Sequence, residues 1–241
     1  MAKRHTAHLK RIAAPKRYHI LRKASVYLMK TIPGAHKKDN SLPLAVLLRD
    51  SLRLINTSRE AKRILNDNKV LIDQKARREL RLPVGLMDVV SIPSLEQNFR
   101  ILFGTDGRVK LIKITQENAK FKLCKILNKT RITNGKLQLN LHDGRNIITE
   151  DTSIKTGDTL KIALPDQKVL KHIALEKGVK VMITNGKHIG EIAVLDEFKP
   201  QPGSKQDRVV LTAENGENFE TLKNYVFVIG KEHSEIKLSE E

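Results

Sequence analysis

Residues Ser41 to Ile92 read SLPLAVLLRDSLRLINTSREAKRILNDNKVLIDQKARRELRLPVGLMDVVSI, and the rest of the chain is organised around them. The first part, Leu44 to Ile55, carries leucines near helical spacing, with Arg49 and Arg53 together on another face. This pattern predicts an amphipathic helix that ends at Ile55.

A second helix is predicted after Thr57, which precedes Glu60 by three residues. At this spacing each side chain can accept the other residue's backbone N–H, forming a capping box. Three basic residues then share one face, and Asn66-Asp67-Asn68 ends the helix. The cationic face consists of Arg59, Lys62 and Arg63. Charge alone does not separate an RNA-binding face from a solvated one.

Alternating residues after this helix predict a short hairpin. Val70 and Ile72 share one side of a strand, and Leu80 and Leu82 resume the alternation. Pro83-Val84-Gly85 predicts a tight turn before the β-branched strand Val89-Val90-Ser91-Ile92. The charged hairpin between these strands holds Lys75, Arg77 and Arg78.

The order of these elements resembles the S4-like RNA-binding module. The resemblance rests on Thr57-Ser58-Arg59-Glu60-Ala61-Lys62, Val70-Leu71-Ile72-Asp73 and the Gly85 to Ile92 ending. It implies a module that holds structured RNA, and it names no single protein.

Composition indicates an anionic partner and several small aliphatic cores. The 241 residues carry a net charge of +18, a pI near 10.0, 4% aromatic residues and no Trp. Residues 1–38 contain eleven Lys or Arg and no acid, whereas residues 171–241 contain ten against twelve acids. The front-loaded charge favours phosphate or an acidic lipid surface as the partner of the N-terminal part.

Residues 1–40 form a basic, proline-interrupted arm with few apolar residues. We expect it to be disordered alone and to order against RNA through counterion release, with Tyr18 stacking on a base or packing locally. Its candidate RNA-binding residues are Lys3, Arg4, His8, Lys10, Arg11, Lys16, Arg17, Tyr18, Arg22, Lys23, His36, Lys37 and Lys38.

Metal binding and secretion are not favoured. The arm histidines His5, His8, His19 and His36 lack a nearby Cys or carboxylate cluster and stand among cations. The single cysteine, Cys124, excludes an intrachain disulfide and indicates a reducing compartment. The longest apolar run, Leu44 to Leu48, is too short for a signal or membrane segment, so we expect a soluble intracellular protein.

Further motifs resemble the archaeal and eukaryotic S4e family of small-subunit ribosomal proteins. They are His8-Leu9-Lys10-Arg11, Ala13-Ala14-Pro15-Lys16, Gly34-Ala35-His36-Lys37, Leu42-Pro43-Leu44 and Met87-Asp88-Val89-Val90-Ser91-Ile92. Tyr18 stands where the family often has tryptophan, and Ala35 where proline is common. The resemblance implies a structural, non-catalytic constituent of the cytoplasmic ribosome. It would bind small-subunit rRNA and neighbouring ribosomal proteins, with no cofactor.

Beyond Ser94 the pattern predicts sheet. Five pairs predict type I′ hairpin turns: Asp106-Gly107, Asn134-Gly135, Asp143-Gly144, Asn185-Gly186 and Asn215-Gly216. Strands are predicted at Val109 to Ile114, Leu137 to Leu141 and Thr159 to Ala163, in a small domain kept basic by Lys120, Lys122 and Lys125.

The C-terminal part from Lys177 to Phe198 resembles a KOW motif in an SH3-like barrel, although a plain β-hairpin explains its glycines equally well. Its loop carries Lys187 and His188, which can meet RNA or protein. We expect closing strands at Val209 to Leu211 and Tyr225 to Ile229, and a frayed acidic tail from Glu235. Because this part is slightly acidic, we expect it to stand further from rRNA.

The sequence therefore predicts an α+β protein: an arm (1–40), an S4-like module (41–94), a central β domain (95–172) and a KOW-containing barrel (173–241). It lacks a nucleophile elbow, a phosphate loop and a His-x-x-x-His helix, so we predict no enzyme. One alternative is a non-ribosomal RNA-binding protein or an RNA-modifying enzyme. Pseudouridine synthases carry S4-like modules, but their Arg-Leu-Asp tripeptide is absent and Asp143 fits a turn better. A second alternative, a membrane binder, is opposed by the arm's prolines.

Overall fold

The computed structural model describes residues 8–132, 135–203, 205–213, 215–231 and 233–238. Within these ranges the protein is mostly antiparallel β structure with few helices, organised as three five-stranded sheets and two smaller strand pairs. In the same ranges, every helix is too short or too polar to cross a bilayer.

The described part of the arm is folded onto the body. Strand β1 (His8–Lys10) pairs with β2 (Tyr27–Met29). Tyr18, in the segment that connects these two strands, is buried. The Arg17 carbonyl accepts the Val109 N–H at 3.0 Å, which joins the arm to a later strand. The expectation that the arm is disordered without RNA is therefore wrong for residues 8–40.

The first helix is shorter than predicted. Strand β3 (Ser41–Pro43) leads into helix α1 (Leu44–Val46), which continues as a π-helix over Leu47–Ser51. Arg53 lies beyond the helix with φ of 54°, so it does not share a helical face with Arg49. The predicted helix therefore ends at Ser51 and not at Ile55.

The second helix confirms the local prediction. Helix α2 (Ser58–Asn66) begins after Thr57, whose hydroxyl accepts the Glu60 N–H at 3.3 Å. Glu60 in turn accepts the Thr57 N–H at 3.3 Å, which completes the capping box. Asn68, with φ of 54°, follows the end of the helix.

The first five-stranded sheet spans the predicted boundary at residue 94. Its strands are β4 (Leu71–Ile72), β5 (Lys75–Ala76), β7 (Val89–Ile92), β8 (Gln97–Phe103) and β9 (Val109–Ile114). Their order in the sheet is β5-β4-β7-β8-β9. The boundary therefore falls between two hydrogen-bonded strands, β7 and β8.

Two turns in this region differ from prediction. Pro83-Val84-Gly85 is not a turn; it forms strand β6 (Pro83–Gly85), which pairs with β3, and the turn follows at Met87 with φ of 68°. The β4–β5 hairpin turns at Asp73 and Gln74, with φ of 50° and 62°. These angles are those of a type I′ turn made without glycine.

Of the three strands predicted for the central domain, 137–141 and 159–163 are confirmed in the central sheet, whereas 109–114 is confirmed as a strand but belongs to the first sheet as β9. Its strands are β10 (Phe121–Arg131), β11 (Leu137–Leu141), β12 (Asn146–Thr149), β13 (Thr159–Ala163) and β14 (Val169–Ile173). Their order in the sheet is β12-β11-β10-β13-β14.

The third sheet is formed by the C-terminal part of the chain. Its strands are β15 (Lys180–Ile183), β16 (Ile192–Lys199), β17 (Arg208–Ala213), β18 (Asn218–Leu222) and β19 (Val226–Gly230). Their order in the sheet is β18-β17-β16-β15-β19.

Hairpin turns form at three of the predicted pairs, Asp106-Gly107, Asp143-Gly144 and Asn215-Gly216, but their turn type differs. The tight turn predicted at Asn185-Gly186 is wrong, because the longer 184–191 loop joins β15 to β16. Gly107, Gly144 and Gly216 have φ between 74° and 79°, and their N–H groups bond three residues back. The preceding Asp or Asn does not have positive φ, so these are type I turns followed by a left-handed glycine. Asn134 lies outside the described residues.

One aliphatic core runs through the arm, the first sheet and the third sheet, and the central sheet has a core of its own. The C-terminal segment belongs to the shared core: Ile236 is buried, and Glu235 bridges Lys161 and Lys171 at 2.8 and 2.5 Å. The expected frayed tail is therefore wrong for residues 235–238, while 239–241 lie outside the described ranges.

Candidate nucleic-acid interface

The cationic face of α2 is exposed as predicted. Arg59, Lys62 and Arg63 are all exposed. Among the residues that the structure describes, no ion pair joins them to Glu60, the only acid of this helix, whose pKa is lowered by the backbone N–H groups of Asn56 and Thr57 at the helix N-terminus. The helix thus presents three positive charges to solvent.

A second exposed cationic set lies beside this helix. The charged hairpin that follows it carries Lys75, Arg77 and Arg78, all exposed. Arg78 Nε donates to Asn68 Oδ1 at 3.2 Å, which ties the hairpin to the residue just beyond the helix. We call α2 and this hairpin together the basic face, defined by Arg59, Lys62, Arg63, Lys75, Arg77 and Arg78.

The remaining predicted RNA-binding residues divide by burial. Those exposed outside the basic face are His8, Lys10, Lys16, Lys23, Lys37, Lys38 and Arg53. Lys3 and Arg4 lie outside the described residues. The buried or half-buried ones are Arg11, Arg17, Tyr18, Arg22, His36 and Arg49. Burial of Arg11, Arg17 and His36 corrects their assignment as RNA contacts, and Tyr18 takes the second of its two expected roles, local packing. Arg22 and Arg49 are only partly buried, so their RNA contacts stay a prediction.

Arg11, Arg22 and Arg49 hold the arm together and against the first helix. Arg11 donates to the Leu21 carbonyl at 2.6 Å and pairs with Asp50 at 3.5 Å. Arg22 donates to three arm carbonyls at 2.8 to 3.2 Å. Arg49 pairs with Asp50 at 2.8 Å.

Arg17 joins the arm to the third sheet. Its Nη2 donates to the Thr184 carbonyl at 3.0 Å and to Asn185 Oδ1, and its guanidinium lies 4.0 Å from the centre of the Phe103 ring. Burial lowers the pKa of Arg17, and Asp39 partly offsets this. Burial also raises the pKa of the neighbouring Tyr18, with Asp39 adding to the shift.

The most heavily charged interior site surrounds Lys122. Its side chain is 1% exposed, and its Nζ contacts three carboxylates: Asp73 at 3.0 Å, Asp88 at 2.5 Å and Asp143 at 3.0 Å. Arg145 pairs with Asp73 at 2.5 Å and Asp143 at 3.2 Å. The site therefore fastens the central sheet to the first sheet.

The arm joins the same site through His36, whose Nε2 lies 3.0 Å from Asp88. Burial alone would lower the pKa of Lys122, but Asp88, Asp73 and Asp143 raise it well above its usual value. Burial likewise opposes ionisation of the acids, yet the charges of His36 and Lys122 hold the pKa of Asp88 far below its usual range. We call these six residues the ionic cluster: His36, Asp73, Asp88, Lys122, Asp143 and Arg145.

A possible metal group lies at the edge of the ionic cluster. Ligand atoms of Cys124, His142 and Asp143 fall within 4.8 Å of one another. However, His142 Nδ1 accepts the Lys125 N–H at 3.2 Å, and Nε2 lies 3.1 Å from the Leu86 carbonyl. Burial raises the pKa of the Cys124 thiol, and Asp143 is already paired. These contacts disfavour a divalent ion there.

The predicted basic cluster of the central sheet is corrected. Lys120 is exposed, but Lys122 and Lys125 are buried. Lys125 Nζ donates to the Asn224 and Val226 carbonyls at 2.8 and 2.6 Å, and burial lowers its pKa to about 8. Like Arg17 and Lys122, it connects sheets.

The comparison with known proteins decides the family. The model of "Ribosomal family S4e" matches residues 95–169, and the RS4NT domain model matches residues 3–39. The small ribosomal subunit protein eS4 of Methanocaldococcus jannaschii is 48% identical over 239 residues, covering 96% of this chain and 97% of that protein. The chain belongs to the ribosomal protein family S4e.

Other members of the S4e family are similar to this chain over most of its length. The eS4 protein of Methanosphaera stadtmanae is 47% identical, with 96% of this chain and 95% of the relative covered. The crystal structure of the 30S ribosomal protein S4e from Thermoplasma acidophilum superposes with a TM-score of 0.70 at 36% identity, covering 80% of this chain and 97% of that one. The similarity thus extends over nearly the whole S4e chain.

Proposed function

We propose that this S4e chain is a structural constituent of the small ribosomal subunit and binds the rRNA of that subunit through its basic face and the exposed arm cations. The observation that carries the proposal is the near full-length similarity to small ribosomal subunit proteins. It follows that the chain works in the cytoplasm within the ribosome, beside other ribosomal proteins.

The charges of the basic face are suited to phosphate. In the part of the chain that the structure describes, no ion pair holds Arg59, Lys62 or Arg63. Binding phosphate therefore breaks no internal pair, and each neutralised phosphate releases counterions. Double-helical RNA is recognised mainly by shape and backbone contacts, for which such a face is sufficient.

The finer architecture supports the same proposal. We assign residues 41–94 to an S4-like module whose sheet is extended by β8 and β9, and we assign the third sheet to a KOW-containing SH3-like unit. The inner side of its 184–191 loop faces protein: a Cβ on Gly190 would lie 2.4 Å from the Gly104 carbonyl carbon. His188 stacks on Phe219 at 4.2 Å, so Lys187 is the loop residue left to meet RNA or protein.

The distribution of charge along the chain indicates which part of the protein faces rRNA. Because the last 71 residues hold ten Lys or Arg against twelve acids, we place the third sheet further from rRNA than the basic face. Lys180, Lys187 and Lys223 can still make local contacts.

An RNA-modifying enzyme is the weaker proposal. Asp143 is the candidate for the catalytic acid that a pseudouridine synthase carries in its Arg-Leu-Asp tripeptide. It is buried and paired with Lys122 and Arg145, so it is not presented to a substrate. We therefore propose a role without catalysis, cofactor, membrane or small-molecule substrate.

Salt-dependent RNA binding tests the proposal. Replacing Arg59, Lys62 and Arg63 together with Ala should weaken binding to small-subunit rRNA and reduce the salt slope by about one unit for each phosphate that is no longer neutralised. The matched control replaces three exposed lysines of the C-terminal part to which no RNA contact is assigned, Lys177, Lys205 and Lys231, with Ala. Equal slopes for both variants and wild type would refute the proposed face, provided that circular dichroism shows both to be folded.

A further inference from the structure

An apolar groove lies between the arm and the central sheet. It has a volume of about 670 Å³, which is within the range of about 300 to 1,000 Å³ typical of sites for small ligands. Ile32 and Pro33 form one wall, and Leu127 and Leu141 form the other. The groove is separate from the basic face, and it adjoins the ionic cluster at His36, which contributes to its lining.

The rim of this groove is cationic. The lining includes four basic residues, Lys30, Lys37, Lys38 and Arg81, and contains no acid within the described residues. Lys37 and Lys38 are exposed. An apolar interior under a positive rim fits a ligand that has a flat apolar body and a negative charge.

The walls of the groove are fixed before any ligand binds. The Ile32 N–H donates to the Arg81 carbonyl at 3.0 Å, and Arg81 Nε donates to the Lys30 carbonyl at 2.9 Å. On the other side, a Cβ at Gly144 would stand 3.5 Å from the Ala35 carbonyl oxygen, so the two backbones are in contact. A preformed site loses little conformational freedom on binding.

The wall formed by the central sheet leaves apolar surface uncovered. Leu127 is 49% exposed, at the irregularity in β10 between Ile126 and Asn128. His142 adds a ring to the lining, and burial, with the charge of Lys122, lowers its pKa to about 4. Its ring is therefore neutral at about pH 7 and adds no charge to the groove.

We propose that this groove receives one unstacked nucleotide of the small-subunit rRNA, with its base against Leu127 and Ile32 and its phosphates at Lys37 and Lys38. The inference rests on the proposed rRNA-binding function and adds a second, base-accepting site to it. Proteins recognise unpaired RNA bases by packing them against apolar or aromatic groups while cations hold the backbone. A peptide from a neighbouring protein is less favoured, because a cationic rim repels the basic segments common in rRNA-binding proteins.

Photochemical cross-linking in assembled subunits tests the proposal. A benzophenone amino acid replaces Leu127 in the full chain, and in separate chains it replaces Leu170 or Arg59. Leu170 is the matched control because it is 58% exposed in the same sheet but lies outside the groove. Position 59 reports on the basic face.

The expected result is a cross-link from position 127 to one unpaired rRNA nucleotide, and none from position 170. A cross-link from 127 to protein alone, or none from 127 while 59 cross-links to rRNA, would overturn the groove proposal and leave the proposed function intact. Absence of rRNA cross-links from both 127 and 59 would count against the proposed function as well.

A binding measurement supplies an independent readout. Leu127→Glu should weaken rRNA binding about 10-fold by removing base packing and repelling phosphate, whereas Leu170→Glu should change it by less than about twofold. Both sites are surface positions, and circular dichroism checks the folds. Equal affinities for the two variants would overturn the proposal.

Discussion

Replacing Lys122 with Met should destabilise the protein more than any surface substitution. The ammonium is 1% exposed and contacts Asp73, Asp88 and Asp143 at 2.5 to 3.0 Å. Met has a similar length but no charge, so the variant leaves three buried carboxylates without their common partner. Arg145 still pairs with two of them, and His36 still contacts Asp88.

The magnitude follows from these remaining partners. Removing one member of a buried ion pair typically costs about 3 to 5 kcal/mol, because the remaining charge stays buried. Lys122 pairs with three acids, but each acid keeps one other partner in the variant: Arg145 for Asp73 and Asp143, and His36 for Asp88. We therefore expect a loss of about 3 to 5 kcal/mol in the free energy of unfolding at about pH 7.

The pH dependence of this loss is a stricter test. In the wild type, burial opposes ionisation of Asp143, but Lys122, together with His142 and Arg145, lowers its pKa to about 2. A lowered carboxyl pKa stabilises the fold above the unfolded-state pKa, and that stabilisation is lost as the pH falls through the folded-state value. Without Lys122, burial is offset less, so the pKa values of Asp88 and Asp143 rise and their protonation reduces the destabilisation of the variant as the pH falls. The stability difference should narrow between about pH 7 and about pH 5.

Urea unfolding at several pH values measures the effect. Lys120→Met is the matched control, because Lys120 is exposed and lies two residues away; it should change stability by less than about 0.5 kcal/mol. A loss below about 1 kcal/mol for Lys122→Met, or the same loss at both pH values, would refute the reasoning.

Two further substitutions test other contacts by urea unfolding. Thr57→Ala removes the hydroxyl that accepts the Glu60 N–H and should cost about 1 kcal/mol; no change would show that the capping box contributes nothing. Arg17→Met breaks the link to the Thr184 carbonyl and should cost about 1.5 to 3 kcal/mol, against less than about 0.5 kcal/mol for the exposed neighbour in Lys16→Met. Equal losses for these two variants would contradict the role given to Arg17.

Features that depend on nearby residues could be predicted from the sequence. The capping box needs only residues 57 and 60, and the strands 137–141 and 159–163 follow from alternation with flanking turn residues. The hairpin positions at Gly107, Gly144 and Gly216 could also be predicted, because glycine permits positive φ. Their type could not, since an Asp-Gly pair serves both a type I′ turn and a type I turn followed by a left-handed glycine.

Features that depend on distant partners could not be predicted. Lys122 is separated from Asp73 by 49 residues, and Arg17 from Thr184 by 167. A basic residue in a basic chain has no local signal that distinguishes a buried link from an RNA contact. The arm illustrates the consequence: its few apolar residues cannot form a core alone, but Leu9, Tyr18 and Leu28 join the core of other segments.

A structure of this chain in its assembled small ribosomal subunit is the most direct test of rRNA binding through the basic face. We predict that Arg59, Lys62 and Arg63 lie within hydrogen-bond distance of rRNA phosphates. We also predict that residues 8–92 contact rRNA more extensively than residues 173–238. A basic face directed to solvent, or a C-terminal part with the more extensive rRNA interface, would contradict the proposed mode of binding.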